Sequence, residues 1–428
     1  MFCRAKTLIL IFMQLCVSTG NAVQVTDISN QAPITSYPQP LFQILTGLSG
    51  WKPTQTATES CKLTFSSQKL DPAKCELPEK LSIIDSSKSK LWIDFDMSDK
   101  KQFQKIQIQL QPNLKIRGFL GLQQGLKPLV IIRLGIHGNI DEFFAERFLA
   151  KIAYENLGYH ILVLENLTSH GHLSTNKDYS FGGIEEGLQT YFILQMIRAK
   201  KFLWSSQIKD IHLVGVSLGG HGAFVTQYLD EESKTTSAKK PLLSSVQLFC
   251  PVVNLEKNFS RLSNAGLFQV GVDVWNRIRI PKLAEKINYN VWPMVFDFKP
   301  QFLPAILKTM NKEKSKPVLE FKTFHTEFPD LQLPEKFVNH VNTSKTFFEL
   351  NDFWSLYINN KTPITIYTTP DDPAVANDIN TEMIRSKKQP GSFQNIQFID
   401  LVGLHCGLAS EYQWPFLVEM IKRGMITH

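Results

Sequence analysis

From residue 91 onward, apolar and polar positions follow two patterns in succession. The first is alternation. Leu91–Phe95, Ile106–Leu110 and Leu114–Phe119 place apolar residues at every second position or nearly so, as half-buried strands do. Pro112-Asn113 lies between the last two and favours a turn, so the pair predicts an antiparallel opening to a sheet. The second pattern is a series of short, largely apolar runs: Leu129–Ile132, Ile161–Leu164, Ile211–Val214, Val246–Phe249, Ile364–Tyr367 and Ile396–Ile399. Helical spacing separates several of them. Phe144, Phe148 and Ile152 stand at i, i+4 and i+8; Ile184, Leu188 and Tyr191 share one face of a helix over about 184–199; a last helix is expected over about 410–424. Strand–helix alternation with solid apolar strands predicts an α/β fold: a mostly parallel sheet with helices on both faces.

That rhythm divides the chain. Residues 1–22 read as a leader, 23–88 as a polar, irregular N-terminal extension, and 89–253 and 362–428 as two parts of one core. Residues 254–361 lack the alternation and hold Trp275, Trp292, Phe296, Phe298 and Phe302. They are read as a helical insertion, placed above the strand ends as a cap.

Composition agrees with a globular chain: 43% of the 428 residues are hydrophobic and 20% charged. The net charge of +7 falls to about +5 without Arg4 and Lys6, and no basic stripe with interleaved aromatics is present, which argues against nucleic acid as a partner. Arg4 and Lys6 precede the apolar run Leu8–Met13, and small residues follow at Ser18, Gly20 and Ala22. This reads as an export signal cleaved near Ala22, giving a periplasmic or secreted protein; a retained leader would instead anchor it. In that compartment Cys61 and Cys75 are expected to form a local disulfide. Cys250 and Cys406 either pair or remain buried thiols. Sequons stand at Asn166, Asn258, Asn342 and Asn360 and are of the frequency chance provides.

The candidate chemistry begins at Gly215-Val216-Ser217-Leu218-Gly219, which ends the Ile211–Val214 run and opens a helical stretch. Strand, tight turn and helix around a serine form a nucleophile elbow. It places Ser217 at a helix N-terminus, where the Leu218 N–H can hold an oxyanion. Asp371-Asp372-Pro373 follows the Ile364–Tyr367 strand, and Asp372 is the better orienting acid, with Asp371 a turn residue or supporting partner. Gly403-Leu404-His405-Cys406-Gly407 follows the last strand, and His405 is the candidate general base. The order Ser…Asp…His, each at a strand end, is that of a serine hydrolase triad. The second oxyanion donor is expected from Gly135-Ile136-His137-Gly138-Asn139, with Asn139 the choice and His137 a scaffold residue. No cofactor or metal is expected: His170, His172, His137 and His221 lack a carboxylate or thiol at ligand spacing, and the His170-Gly171-His172 loop is read as pocket lining.

The elbow, acid loop and histidine loop together resemble the α/β-hydrolase superfamily. Over about residues 90–428 the chain is similar to its YheT-like branch, at Pro251–Leu255, Phe321–His325, Asp371–Pro373 and Gly403–Gly407. The resemblance implies the α/β-hydrolase fold with a cap, the triad Ser217, Asp372 and His405, and carboxylesterase, phospholipase-like or alcohol acyltransferase activity on medium-chain acyl groups. The expected partner is a small ester or lipid, with peripheral membrane contact left open. The alternatives are acyl transfer to an alcohol through the same triad, or a binding protein that kept the fold without catalysis.

Overall fold

The computed structural model describes residues 23–29, 103–136, 138–141, 146, 149–150, 152–178, 182–235, 241–262, 316–353, 361–370, 372, 374–386, 395–401, 405–407, 421 and 424–425. The leader, Leu91–Phe95, Cys61, Cys75, Phe144, Phe148, the aromatic group from Trp275 to Phe302 and most of the expected last helix lie outside them.

Eleven strands are described: β1 Val25–Asp27, β2 Phe103–Gln111, β3 Leu114–Gly121, β4 Lys127–Arg133, β5 His160–Leu164, β6 Ile208–Val216, β7 Lys234–Thr235, β8 Leu243–Phe249, β9 Leu331–Gln332, β10 Ile364–Thr368 and β11 Ile396–Asp400. Nine form one sheet in the order β1-β2-β3-β5-β4-β6-β8-β10-β11. The β1–β2, β2–β3 and β3–β5 pairings are antiparallel, and every pairing from β5 to β11 is parallel. The chain has the α/β-hydrolase fold. The expected hairpin around Pro112-Asn113 is present, with Ile108 opposite Ile116. The N-terminal extension is not irregular throughout, because Val25–Asp27 adds an edge strand to β2.

Successive residues of each inner strand face opposite ways and feed two apolar clusters. Val130, Ile132, Val163, Val214, Phe249 and Tyr367 belong to one, and Leu129, Ile131, Leu162, Leu213, Leu248 and Ile366 to the other. Strands buried on both faces must be apolar at every position, which is why the runs looked solid in sequence.

The described helices are α1 His170–Asn176, α2 Gly183–Arg198, α3 Leu218–Glu232, α4 Leu255–Leu262, α5 Phe321–Glu327, α6 Glu335–Thr343, α7 Phe347–Asn351 and α8 Thr381–Ser386. Ile152–Asn156 is a π-helical turn. None of the described helices is long and apolar enough to cross a membrane.

Helix α2 departs from a one-sided amphipathic helix, since all of Gly183–Ile197 is buried. The described end of the insertion covers its outer side. Phe324 meets Phe192 edge-on at 4.8 Å, Glu185 accepts hydrogen bonds from the Val318 and Leu319 N–H groups, and Asn351 Oδ1 accepts from Ile184 N at the helix start. Residues 316–353 are thus helical and packed on α2 and α3.

Candidate active site

Ser217 ends β6 and precedes α3 with φ 54° and ψ −117°. This left-handed backbone costs a serine on the order of 1–3 kcal/mol and persists only where its surroundings enforce it. Here the Ser217 N–H donates to Phe249 O at 2.8 Å, and its carbonyl accepts from Gly220 N at 3.0 Å and Val252 N at 3.1 Å. The flanking glycine requirement has a direct cause. A Cβ on Gly219 would stand 2.5 Å from Leu134 O and 2.6 Å from Arg133 O, so α3 begins pressed against the end of β4. Although the turn lifts Ser217 off the sheet, the residue is only 5% exposed.

Asp372 follows β10, and its carboxylate is held from several sides. Oδ1 accepts from the Ala374 and Val375 N–H groups at 2.8 Å, Oδ2 from Cys406 N at 2.9 Å, and His405 Nδ1 lies 3.0 Å from both oxygens. Burial pushes this carboxyl up, but attraction to His405 and the hydrogen bonds outweigh it, and the net shift is downward. For His405, burial favours the neutral ring, yet the Asp372 charge and hydrogen bond, with a lesser contribution from Glu146, leave it above its ordinary value of 6.5. With Nδ1 donating to Asp372, the basic nitrogen is Nε2, the form a general base needs. Asp371, Gly403 and Leu404 lie outside the described residues.

The loop after β4 meets the elbow at Gly135, where a Cβ would stand 3.3 Å from Ser217 Cβ and 3.6 Å from Glu146 Oε1. Gly138 N donates to Gly135 O at 2.9 Å, closing a tight turn that presents Ile136 at its tip. Asn139, the expected second oxyanion donor through its backbone N–H, also accepts the Asp141 N–H at its side-chain Oδ1 at 2.9 Å. The stretch it belongs to is pinned to the loop after β5. Asn166 N donates to Gly138 O, Ile140 N to Glu165 Oε1, and Arg117 bridges Glu165 and Asp141 at 2.9 and 3.0 Å. Leu218, at the first turn of α3, has no intrahelical acceptor for its N–H. Sequence reasoning missed Gly135 and Glu146. Gly135 was visible as a glycine directly after a core strand, whereas nothing around Glu146 in the sequence marks it.

The structure places two further sequence features. The His170-Gly171-His172 segment is the first turn of α1, where Ser169 Oγ caps the His172 N–H and the His172 Nδ1 faces Asn176 Nδ2 at 3.1 Å, so His172 serves the helix. Asn166 and Asn258 are buried and hydrogen-bonded, unsuited to carrying a glycan. His137 lies outside the described residues.

The two remaining cysteines converge. Cys250 follows β8, Cys406 follows His405, their Cα atoms are 4.9 Å apart, and their Sγ atoms are in bonding contact. Ligand atoms of Cys250, Asp372, His405 and Cys406 all lie within 4.8 Å of one another, the set of metal-ligand types found together among the described residues. To bind a cation it would need both thiols separate and His405 Nδ1 turned from Asp372.

No protein-family model matches the chain, and no curated protein sequence matches it. Solved structures do. A putative hydrolase of Legionella pneumophila is 15% identical with a TM-score of 0.47, covering 79% of this chain and 94% of its own. Est1E from Butyrivibrio proteoclasticus is 15% identical with a TM-score of 0.39, covering 76% and 98%. An esterase of Pyrococcus furiosus is 13% identical with a TM-score of 0.42, covering 76% and 93%.

Proposed function

We propose that this chain is a serine hydrolase of carboxylic esters. The observation that carries the reading is the His405–Asp372 pair, two contacts of 3.0 Å on loops after adjacent strands, in a chain whose strained Ser217 stands at a helix start. His405 Nε2 takes the Ser217 proton as Oγ attacks the ester carbonyl carbon. The oxyanion is held by the Leu218 N–H and by one donor from the loop after β4. Asn139 is the expected second donor, and Ile136 is a further candidate because its turn contacts the elbow through Gly135. Collapse expels the alkoxide, which takes the proton back from His405, and water then repeats the sequence to release the acid and free Ser217.

The finer reading follows the sequence: an exported enzyme with a leader ending near Ala22, a Cys61–Cys75 bridge, and an acyl pocket roofed by residues 254–361, on a core that resembles the YheT-like branch. The burial of Ser217 favours a second reading, acyl transfer to an alcohol, because a dry site disfavours water as acceptor.

The test is labelling by a fluorophosphonate probe together with turnover of p-nitrophenyl esters of increasing length, with and without added alcohol. Ser217→Ala should lose the label and about 10⁴–10⁶ in kcat while its melting temperature stays close to the parent's. Undiminished turnover in that variant would sink the assignment; ester products with the added alcohol would select transfer.

A further inference from the structure

Left-handed backbone at non-glycine residues is concentrated at this site. Among the described residues it occurs at Lys177 and Lys200, which close helices α1 and α2, and at Ser217, Cys250 and Cys406. The last three are coupled. Cys250 lies between Phe249, whose carbonyl accepts the Ser217 N–H, and Val252, whose N–H donates to the Ser217 carbonyl. Its own N–H is bound to Tyr367 O at 2.7 Å. Cys406 is next to the base, and its N–H donates to Asp372 Oδ2. Both sulfurs are buried, and each lies 3.6 Å from His405 Nδ1.

We propose that Cys250 and Cys406 form a disulfide whose role is positional: it ties the segment seating the nucleophile to the loop carrying the base and holding the acid. The Cα separation of 4.9 Å lies within the range a disulfide spans. The geometry also says why the link matters. His405 and Ser217 belong to segments 188 positions apart in sequence. The bond joins them one residue from the base and one residue from the carbonyl that anchors the nucleophile. It makes the enzyme sensitive to its redox surroundings. A dithiol reductant would donate two electrons and two protons, converting the bond to two thiols and becoming a cyclic disulfide itself. Among the described residues, the loop at 405–407 would then be held by its hydrogen bonds to Asp372 and by the Cys406 thiol against Phe249 O. This inference rests on the serine-hydrolase reading for its catalytic consequence.

The experiment uses the full chain purified without reductant. Digestion under alkylation should yield the Cys250 and Cys406 peptides joined and two hydrogens lighter than their sum. Reduction by dithiothreitol, with bond cleavage followed by mass, should lower kcat on a short p-nitrophenyl ester by about 10- to 100-fold with little change in KM, and reoxidation should restore it. Cys250→Ala should show the reduced enzyme's rate and no response to dithiothreitol. The His405 ring, flanked by Asp372, Glu146, Cys250 and Cys406, gives a readout independent of turnover: its NMR titration should move to lower pH on reduction as the Asp372 contact loosens. Free, alkylatable thiols in the untreated protein overturn the proposal. So does one zinc ion per chain held by those thiols, or cleavage of the bond with kcat and the His405 titration both unchanged. Joined peptides and a shifted titration without ester turnover in either state would overturn the hydrolase reading and leave the positional link standing.

Discussion

Glu146 is a carboxylate set among the catalytic groups that no motif announces. Its Oε1 accepts the Gly135 N–H at 3.3 Å on the loop facing Ser217, burial holds its carboxyl above the ordinary range, and its charge helps to raise His405. The sign of its effect on rate is fixed by this arrangement. In the proposed mechanism the base is neutral His405, whose pKa lies above 6.5, so the acid limb of kcat/KM should also lie above pH 6.5. Glu146→Gln removes a negative charge that favours the imidazolium, and the acid limb should move to lower pH. A pH–rate profile that coincides with the parent's would show that Glu146 carries no charge over the pH range in which His405 titrates. At the same scale, Ser217, Asp372 and His405 were legible because each sits in a turn of unusual composition directly after an apolar run. Asn139 was assigned by its neighbours His137 and Gly138, and its side-chain carbonyl accepts the Asp141 N–H two residues on.

At the scale of elements, the strands were the most readable, because burial on both faces leaves little freedom in composition. Helix α2 was legible as a helix but not as a fully buried one. Its polar residues suggest solvent until the insertion closes over them: Glu185 holds the Val318 and Leu319 N–H groups, and Asn351 supplies a cap that no residue before Gly183 provides, since Gly182 has no side chain. Gly182 is itself needed there, as a Cβ would stand 2.6 Å from Asn351 Oδ1. Asn351→Ala should therefore destabilise the protein by about 1–2 kcal/mol, leaving a helix-start N–H buried without an acceptor. Equilibrium denaturation in urea would check this, and a midpoint unchanged from the parent's would mean that the insertion docks without helping to cap α2.

For the whole molecule, the helix after the elbow carries a histidine that no catalytic step uses. His221 is buried on α3, both ring nitrogens lack a hydrogen-bond partner among the described residues, and burial lowers its pKa to about 4. The unfolded chain takes up a proton near pH 6.5, while the folded one resists until about pH 4. Stability is therefore unaffected above pH 6.5 and falls progressively between 6.5 and about 4, by on the order of 3 kcal/mol from this group. His221→Leu should shift the acid-unfolding midpoint to lower pH with little loss at pH 8. An unchanged acid midpoint would assign that transition to other groups. Glu186, pushed up to about 7 by burial against the pull of the neighbouring Arg133, acts in the opposite sense, since the folded state holds its proton more tightly than the unfolded chain does.

By itself the sequence determined the α/β alternation, the hairpin that opens the sheet, the elbow at Ser217 and the order of acid and base after it. Those features are local: each depends on the burial of a short run or on the composition of one turn, and such requirements are written within a few residues. Tertiary structure decided what depends on residues far apart in the chain. It set Cys250 against Cys406, brought Glu146 to the loop beside Ser217, and placed Asn351 at the start of α2. None of these pairings leaves a periodicity or a motif behind, because a contact across the fold constrains each partner's shape and charge but not the spacing between them.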